Sequence, residues 1–392
     1  MNKRVGVVNI GTLVPGLLGQ PVVTNTSITI QDGVIVNVGQ DPDPADVVID
    51  AAGMTVTPGF VDGHVHPTAG EWTPAQDATG WIRRYLHGGT TSMVSAGELH
   101  FPGLALDDLS PETVVSLAVT ARAATAHSRP SGMKATFGTL LLVPGLTEGD
   151  FDRAQRAGIR LVKFIFYPWS RLGDGEAQRY VQWAHERGML VKVHSGGVSR
   201  SGASKVTGFP VIDAVRPDIA AHLSGGPIPM PAEEMSEVVH NLPEVAVEIC
   251  SSMNYRATID LVSELTDIGG LARLTMGTDT PGGTGVIPRG MLRNVLFLSA
   301  VCGVSPADAV AVATSNTARW HGLDVGEIAV GKPADLVIMG AVEGSAGSTA
   351  LEAIALGDLP GIAVVMVDGE VLIGGRSEQT PPPRQSVTIS GT

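Results

Sequence analysis

Cysteine is nearly missing from this chain: Cys250 and Cys302 are the two present in 392 residues. That count excludes a disulfide framework and a four-cysteine or C-x-x-C metal site. Any metal must then be held by His, Asp, Glu or a modified Lys. Positive charge is short as well, with 26 Lys and Arg against 39 Asp and Glu and a net charge of -13. No basic stripe is available to release phosphate counterions, so no nucleic-acid or membrane partner is expected. Apolar runs stop well below the roughly 18 residues a membrane span needs. The opening MNKRVGVVNIG turns into a strand pattern instead of the apolar core of a signal peptide, and a cytoplasmic location is expected. What is plentiful is tight-turn chemistry, 49 Gly and 26 Pro, within a chain that is 43% hydrophobic. Such a chain is globular, and its length suits a barrel of about 250 residues plus one smaller domain.

Residues 1–57 carry short apolar strands with a hairpin signal at Asp32-Gly33, and residues 326–374 return to that texture with a second one at Asp368-Gly369. The two ends read as halves of one composite β-sandwich domain, 1–57 with 326–392, whose last residues RSEQTPPPRQSVTISGT form a disordered or strap-like tail. Residues 58–325 read as an α/β (β/α)8 barrel of the TIM type. They contain eight strand candidates: PGFVDGHVH, TTSMVSAG, MKATFGTLL, RLVKFIFYP, MLVKVHSGG, DIAAHLSGG, VAVEICSS and RLTMGTDTP, most followed by a helical pattern.

Chemistry in such a barrel sits where strands end. The first strand ends in His64-Val65-His66, a spacing of two that puts both imidazoles on one side of the strand. The fourth carries Lys163, the fifth ends at His194, the sixth at His222 and the eighth at Asp279. A lone histidine is more often a hydrogen-bonded core or surface residue, and His185 and His240 fit that description. The set at separate strand ends is different in kind and reads as a metal centre. Lys163, in an apolar run, must be paired, neutralised or turned to a wet cavity. A neutral amine there can add carbon dioxide to become a carbamate with two oxygens able to bridge two cations. The alternative is a lysine bound to an acidic partner or a substrate carboxylate.

TPGFVDGHVH, GEIAVGKPADLVIM and the GTD of the last barrel strand resemble the amidohydrolase superfamily, metal-dependent hydrolases with a barrel and a small β-sandwich built from both chain ends. More narrowly, HGGTTSMVSAGELHFPG, VKVHSGG, HLSGGP and GTDTPGGTGVIPRGMLRNV resemble its enamidase branch, which hydrolyses a cyclic enamide carboxylate. The resemblance implies that His64, His66 and Asp279 hold one metal ion, that His194 and His222 hold a second, and that Lys163 bridges them. In this it departs from the glutamate bridge of enamidases, since the strand offers Lys163 and no acid. Zn²⁺ is the expected ion, with Fe²⁺ and Mn²⁺ as alternatives. The implied reaction is hydrolysis of the C–N bond of a small cyclic amide or enamide by a metal-bridging hydroxide, with Asp279 as general base and then acid.

Candidates to position the substrate are His100, Tyr167 and Arg289, with Arg200 and Arg256 competing to hold a carboxylate. The runner-up activity is hydrolysis of a linear N-acyl or peptide-like amide on the same site. A non-catalytic barrel scaffold is the alternative of another class. A homo-oligomer is expected.

Overall fold

The computed structural model describes residues 4–40, 42–67, 81–98, 104–106, 108–198, 204–226 and 228–391. Near the N-terminus, Arg4–Leu13 pairs antiparallel with Val23–Gln31, which pairs in turn with Val34–Gly39. Asp32 and Gly33 between these last two strands take φ of 52° and 82°. Positive φ at both central residues is what a two-residue hairpin of this twist requires. The Asp368-Gly369 hairpin has the same signature, 46° and 75°.

The sheet is completed from the other end of the chain. Thr55–Pro58 pairs antiparallel with Leu336–Gly340, which continues to Gly361–Val367 and Glu370–Ile373. Thr388–Gly391 adds an antiparallel strand on Val47–Asp50, so the terminal segment is a strap with paired backbone, not a disordered tail. The helix Ala350–Leu356 lies within the stretch that the sequence reads as continuous β texture.

The middle of the chain forms parallel ladders. Phe60–Val65, Thr90–Ser95 and Lys134–Thr136 make one; Leu140–Leu141, Leu161–Phe164, Leu190–His194, Ile219–Ala221, Ala246–Cys250 and Leu274–Gly277 make the other. Lys134–Thr136 and Leu140–Leu141 are two halves of the third strand, and counted so they give the eight strands expected of the barrel. The break between the halves is filled by Glu98, whose buried carboxylate accepts hydrogen bonds from the backbone N–H of Gly138 (2.8 Å) and Thr139 (3.1 Å). The ring closes between the eighth strand and the first. Asp279 N–H donates to His64 O at 2.8 Å, and His66 N–H donates to Thr280 O at 2.6 Å.

Helices cover the outside. Pro111–Ala126 starts on Ser110, whose side chain accepts from Thr113 N–H. After the eighth strand the chain runs through Gly290–Leu296, a π-helical turn Phe297–Val301, Pro306–Ala311, a second π-helical turn Val312–Asn316, and Thr317–Trp320. No helix among the described residues is long and apolar enough to cross a membrane.

Candidate metal centre

Barrel closure assembles the site. Because His64 and His66 stand two apart on the first strand and Asp279 follows the neighbouring eighth, the ladder brings three donor atoms together. His64 Nε2 lies 3.2 Å from His66 Nε2, and Asp279 Oδ1 lies 3.6 Å and 3.3 Å from these two nitrogens. All three residues are buried. His222 follows the sixth strand with its ring 5.4 Å from that of His64 and 4.7 Å from that of His194. His194 Nε2 donates to Gly197 O at 2.9 Å. Lys163 stands on the fourth strand in register with Lys192 on the fifth. The backbone is held in the left-handed region at two of these positions, His222 (φ 39°) and Asp279 (φ 59°). Such conformations are costly outside glycine and cluster where a side chain must be aimed.

Burial and neighbouring charge set the protonation states. Desolvation, reinforced by the Lys163 amine, keeps His64 well below the usual histidine range. His222 is held down by burial and by His194, and His194 itself falls to about 4, chiefly through burial. These rings are neutral near pH 7, so each keeps a lone pair. Burial acts to raise the Asp279 carboxyl, but the hydrogen bond and charge of His66, with His222 and Lys163, more than offset it and leave the group below its ordinary value. Lys163 is pushed down to about 7, first by desolvation and then by the charge of Lys192. Its Nζ, like Nδ1 of His222, is buried without a hydrogen-bond partner among the described residues. Buried polar atoms are nearly always satisfied. A pocket of imidazoles and one carboxylate, with two nitrogens left without a partner among the described residues, is the donor set that divalent cations fit.

The substrate-positioning candidates separate. Tyr167 is fully buried; its hydroxyl donates to Glu176 at 2.7 Å, and its ring packs against Phe164, Trp169 and Tyr180. That hydroxyl is committed to the start of a helix, and Tyr167 is a packing residue. Arg289 lies in the segment after the eighth strand, half-buried, its guanidinium without a partner among the described residues. Arg256 is exposed on the outer face of the helix Tyr255–Asp267, beside Asp260. His100 and Arg200 lie outside the described residues. His185 and His240 pair with Asp218 and Glu264.

Sequence reasoning missed a layer beneath the site. Glu248, on the seventh strand, places Oε1 2.5 Å from His64 Nδ1 and Oε2 2.6 Å from Lys192 Nζ. Burial alone would raise this carboxyl, but Lys192 and His64 reverse the effect and hold it well below the usual range. Asp62 accepts from the backbone and hydroxyl of Thr278, joining the first strand to the eighth. The signal was available: Lys192 precedes His194 by two on one strand face, and Glu248 interrupts the apolar VAVEIC, so the desolvation argument applied to Lys163 holds equally for both.

Comparison with known proteins gives the family. The Amidohydrolase family model matches residues 55–372. Enamidase of Eubacterium barkeri is 37% identical over 393 residues, covering 99% of this chain and 100% of that protein. The crystal structure of an enamidase, described as a new member of the amidohydrolase superfamily, matches with a TM-score of 0.89 at 36% identity over 99% of this chain and 100% of that one. An adenine deaminase of Nitratidesulfovibrio vulgaris is 27% identical over 88% of this chain, which spans 55% of the deaminase. N-acetyl-D-glucosamine-6-phosphate deacetylase from Mycobacterium smegmatis shares the fold, with a TM-score of 0.60 at 19% identity over 95% of this chain and 100% of that one.

Proposed function

Since the chain belongs to the amidohydrolase family, we propose that its barrel mouth holds two divalent metal ions and hydrolyses the C–N bond of a small cyclic amide or enamide. Hydrolysis of non-peptide C–N bonds is the activity class that the family and the full-length similarity to enamidase assign to the chain. The cyclic substrate is inferred from the same similarity. The observation that carries the metal centre is the convergence of His64 Nε2, His66 Nε2 and Asp279 Oδ1 in a buried pocket, with Lys163 Nζ left without a hydrogen-bond partner among the described residues.

In this reading His64, His66 and Asp279 hold one ion, and His194 and His222 hold the other. Bound there, the ions would supply Lewis acidity able to bring the pKa of a water toward neutrality and to polarise the amide carbonyl. Lys163, its amine largely uncharged above about pH 7, adds carbon dioxide and releases a proton. The resulting carbamate would offer two oxygens as further donors to the centre. Asp279 divides its carboxylate: Oδ1 faces the two histidines, while Oδ2 lies 3.4 Å from Ser252 Oγ. It takes the proton from the attacking water and passes it to the departing nitrogen. Arg289, its guanidinium without a partner among the described residues, binds a substrate carboxylate in two-pronged fashion.

The test is elemental analysis of protein purified without chelator, alongside Lys163→Ala. About two metal ions per chain are expected, falling sharply in the variant, and the parent should open cyclic amides in a substrate screen. One ion, unchanged by the substitution, would indicate mononuclear chemistry and remove Lys163 from the site. No metal after reconstitution would sink the metal-dependent reading.

A further inference from the structure

The layer under the metal centre has a hydrogen-bond pattern with one consistent assignment. Lys192 Nζ lies 2.6 Å from Glu248 Oε2, 2.8 Å from Gly63 O and 3.1 Å from His321 Nε2. An ammonium has three protons and no lone pair, so all three are committed. His321 Nδ1 donates to Thr317 O at 2.7 Å, which leaves Nε2 as the acceptor Lys192 needs. With Oε2 of Glu248 taken by Lys192, Oε1 remains for His64, 2.5 Å from Nδ1. A carboxylate only accepts, so His64 must donate from Nδ1 and keep its lone pair on Nε2, the atom turned to His66 and Asp279. Glu248 and Lys192 are fully buried, and His321 is 5% exposed. Water therefore offers no alternative partner.

Resting on the metal-centre reading above, we infer that Glu248, itself oriented by Lys192, is a positioning residue that fixes the His64 ring and its tautomer so that Nε2 is presented to a metal ion. The same lysine, through Gly63 O, braces the backbone immediately before His64. Partners of this kind behind a ligating imidazole change metal affinity about 10- to 100-fold when removed. A second grouping of buried donors, His64, Glu248 and Cys250, overlaps this layer. The commitment of both Glu248 oxygens to His64 and Lys192 makes it a hydrogen-bond relay instead of a further cation site.

Glu248→Gln separates positioning from mere charge balance. Facing an ammonium, the amide turns its oxygen to Lys192 and its NH2 to His64. The ring must then accept at Nδ1 and carry its proton on Nε2, where a metal would bind. The experiment is competition of Zn²⁺ and Co²⁺ against a chelator for parent, Glu248→Gln and Glu248→Asp, with the visible spectrum of the Co²⁺ forms and the melting temperature recorded beside it. The expected result is a 10- to 100-fold loss of affinity at one of two sites in Glu248→Gln, an altered Co²⁺ spectrum, and partial recovery in Glu248→Asp. Parental affinity and spectrum in a folded Glu248→Gln would overturn the inference whatever the change in melting temperature. Should that variant not fold, ring-nitrogen NMR of the Zn²⁺-loaded parent decides, since His64 must carry its proton on Nδ1 and a bare Nδ1 refutes the assignment. A parent that takes up no metal defeats the metal-centre reading itself, whereas a metal-replete parent matched by Glu248→Gln defeats this inference alone.

Discussion

Asp279 has little freedom, and the constraint comes from a residue with no side chain. A Cβ placed on Gly283 would lie 1.6 Å from Asp279 Oδ2 and 2.2 Å from Cγ. Gly283 has an ordinary φ, so the requirement is for space. Gly283→Ala is expected to swing the carboxylate away from His64 and His66. Misplacement by about 1 Å typically costs on the order of 100-fold in rate. Steady-state kinetics should show the loss in kcat/KM, with the urea midpoint close to that of the parent; full activity would mean that Asp279 Oδ2 takes no part. The sequence shows the glycine pair after the eighth strand but not this role, because a close approach across a turn has no periodic signature. That Asp279 and the histidines stand where barrel strands end was legible in the spacing of the strand candidates. Lys192 and Glu248 were not singled out, because each lies inside a strand and reads as an anomaly only when every charge in an apolar run is asked for its partner.

Among the elements, the short helix Thr317–Trp320 shows what lay beyond sequence reasoning. It delivers His321 against the underside of the first strand, where a Cβ on Gly63 would sit 2.6 Å from the imidazole Cε1. Two π-helical turns interrupt the helices before it, and such turns shift the register of apolar positions that periodicity depends on. By contrast, the two Asp-Gly hairpins announced themselves through local backbone chemistry alone. His321 also carries a pH effect. Burial, then the charge of Lys192, lowers it from 6.5 to about 4. The unfolded chain therefore takes up a proton below pH 6.5 that the folded one refuses, and stability falls as pH drops from about 6.5 to about 4, then levels. The contribution is on the order of 3 kcal/mol over that window. Urea denaturation of parent and His321→Gln between pH 7 and pH 4.5 should give converging stabilities as pH falls; parallel curves would show that His321 protonates as readily folded as unfolded.

Across the whole molecule, a cluster of ion pairs ties the barrel to the terminal sheet. Lys134 Nζ, at the start of the third barrel strand, lies 2.8 Å from Asp335 Oδ2 and 2.6 Å from Asp368 Oδ1, and Arg129 also pairs with Asp368. The Asp335 side chain is 2% exposed, so removing its partner strands a buried charge. Lys134→Ala is expected to cost about 3 kcal/mol, and Lys134→Met with Asp335→Asn to recover much of it, because the stranded charge and not the lost attraction dominates. Equal urea midpoints for parent and single variant would show that the contact is solvated. That both chain ends build one sheet was legible in their matched strand texture. The ionic seam was not, since its partners lie far apart in the sequence.

The pairing of Thr55–Pro58 with Leu336–Gly340 sets a schedule for synthesis. During translation the early strands leave the ribosome with one edge bare, and the strand that covers it arrives only after the whole barrel has been made. Contacts so distant along the chain form slowly, and an uncovered strand edge is an invitation to a neighbouring chain. The nascent protein is thus most exposed to misassembly through these early strands, and a chaperone that shields strand edges would find its substrate there, not at the barrel mouth.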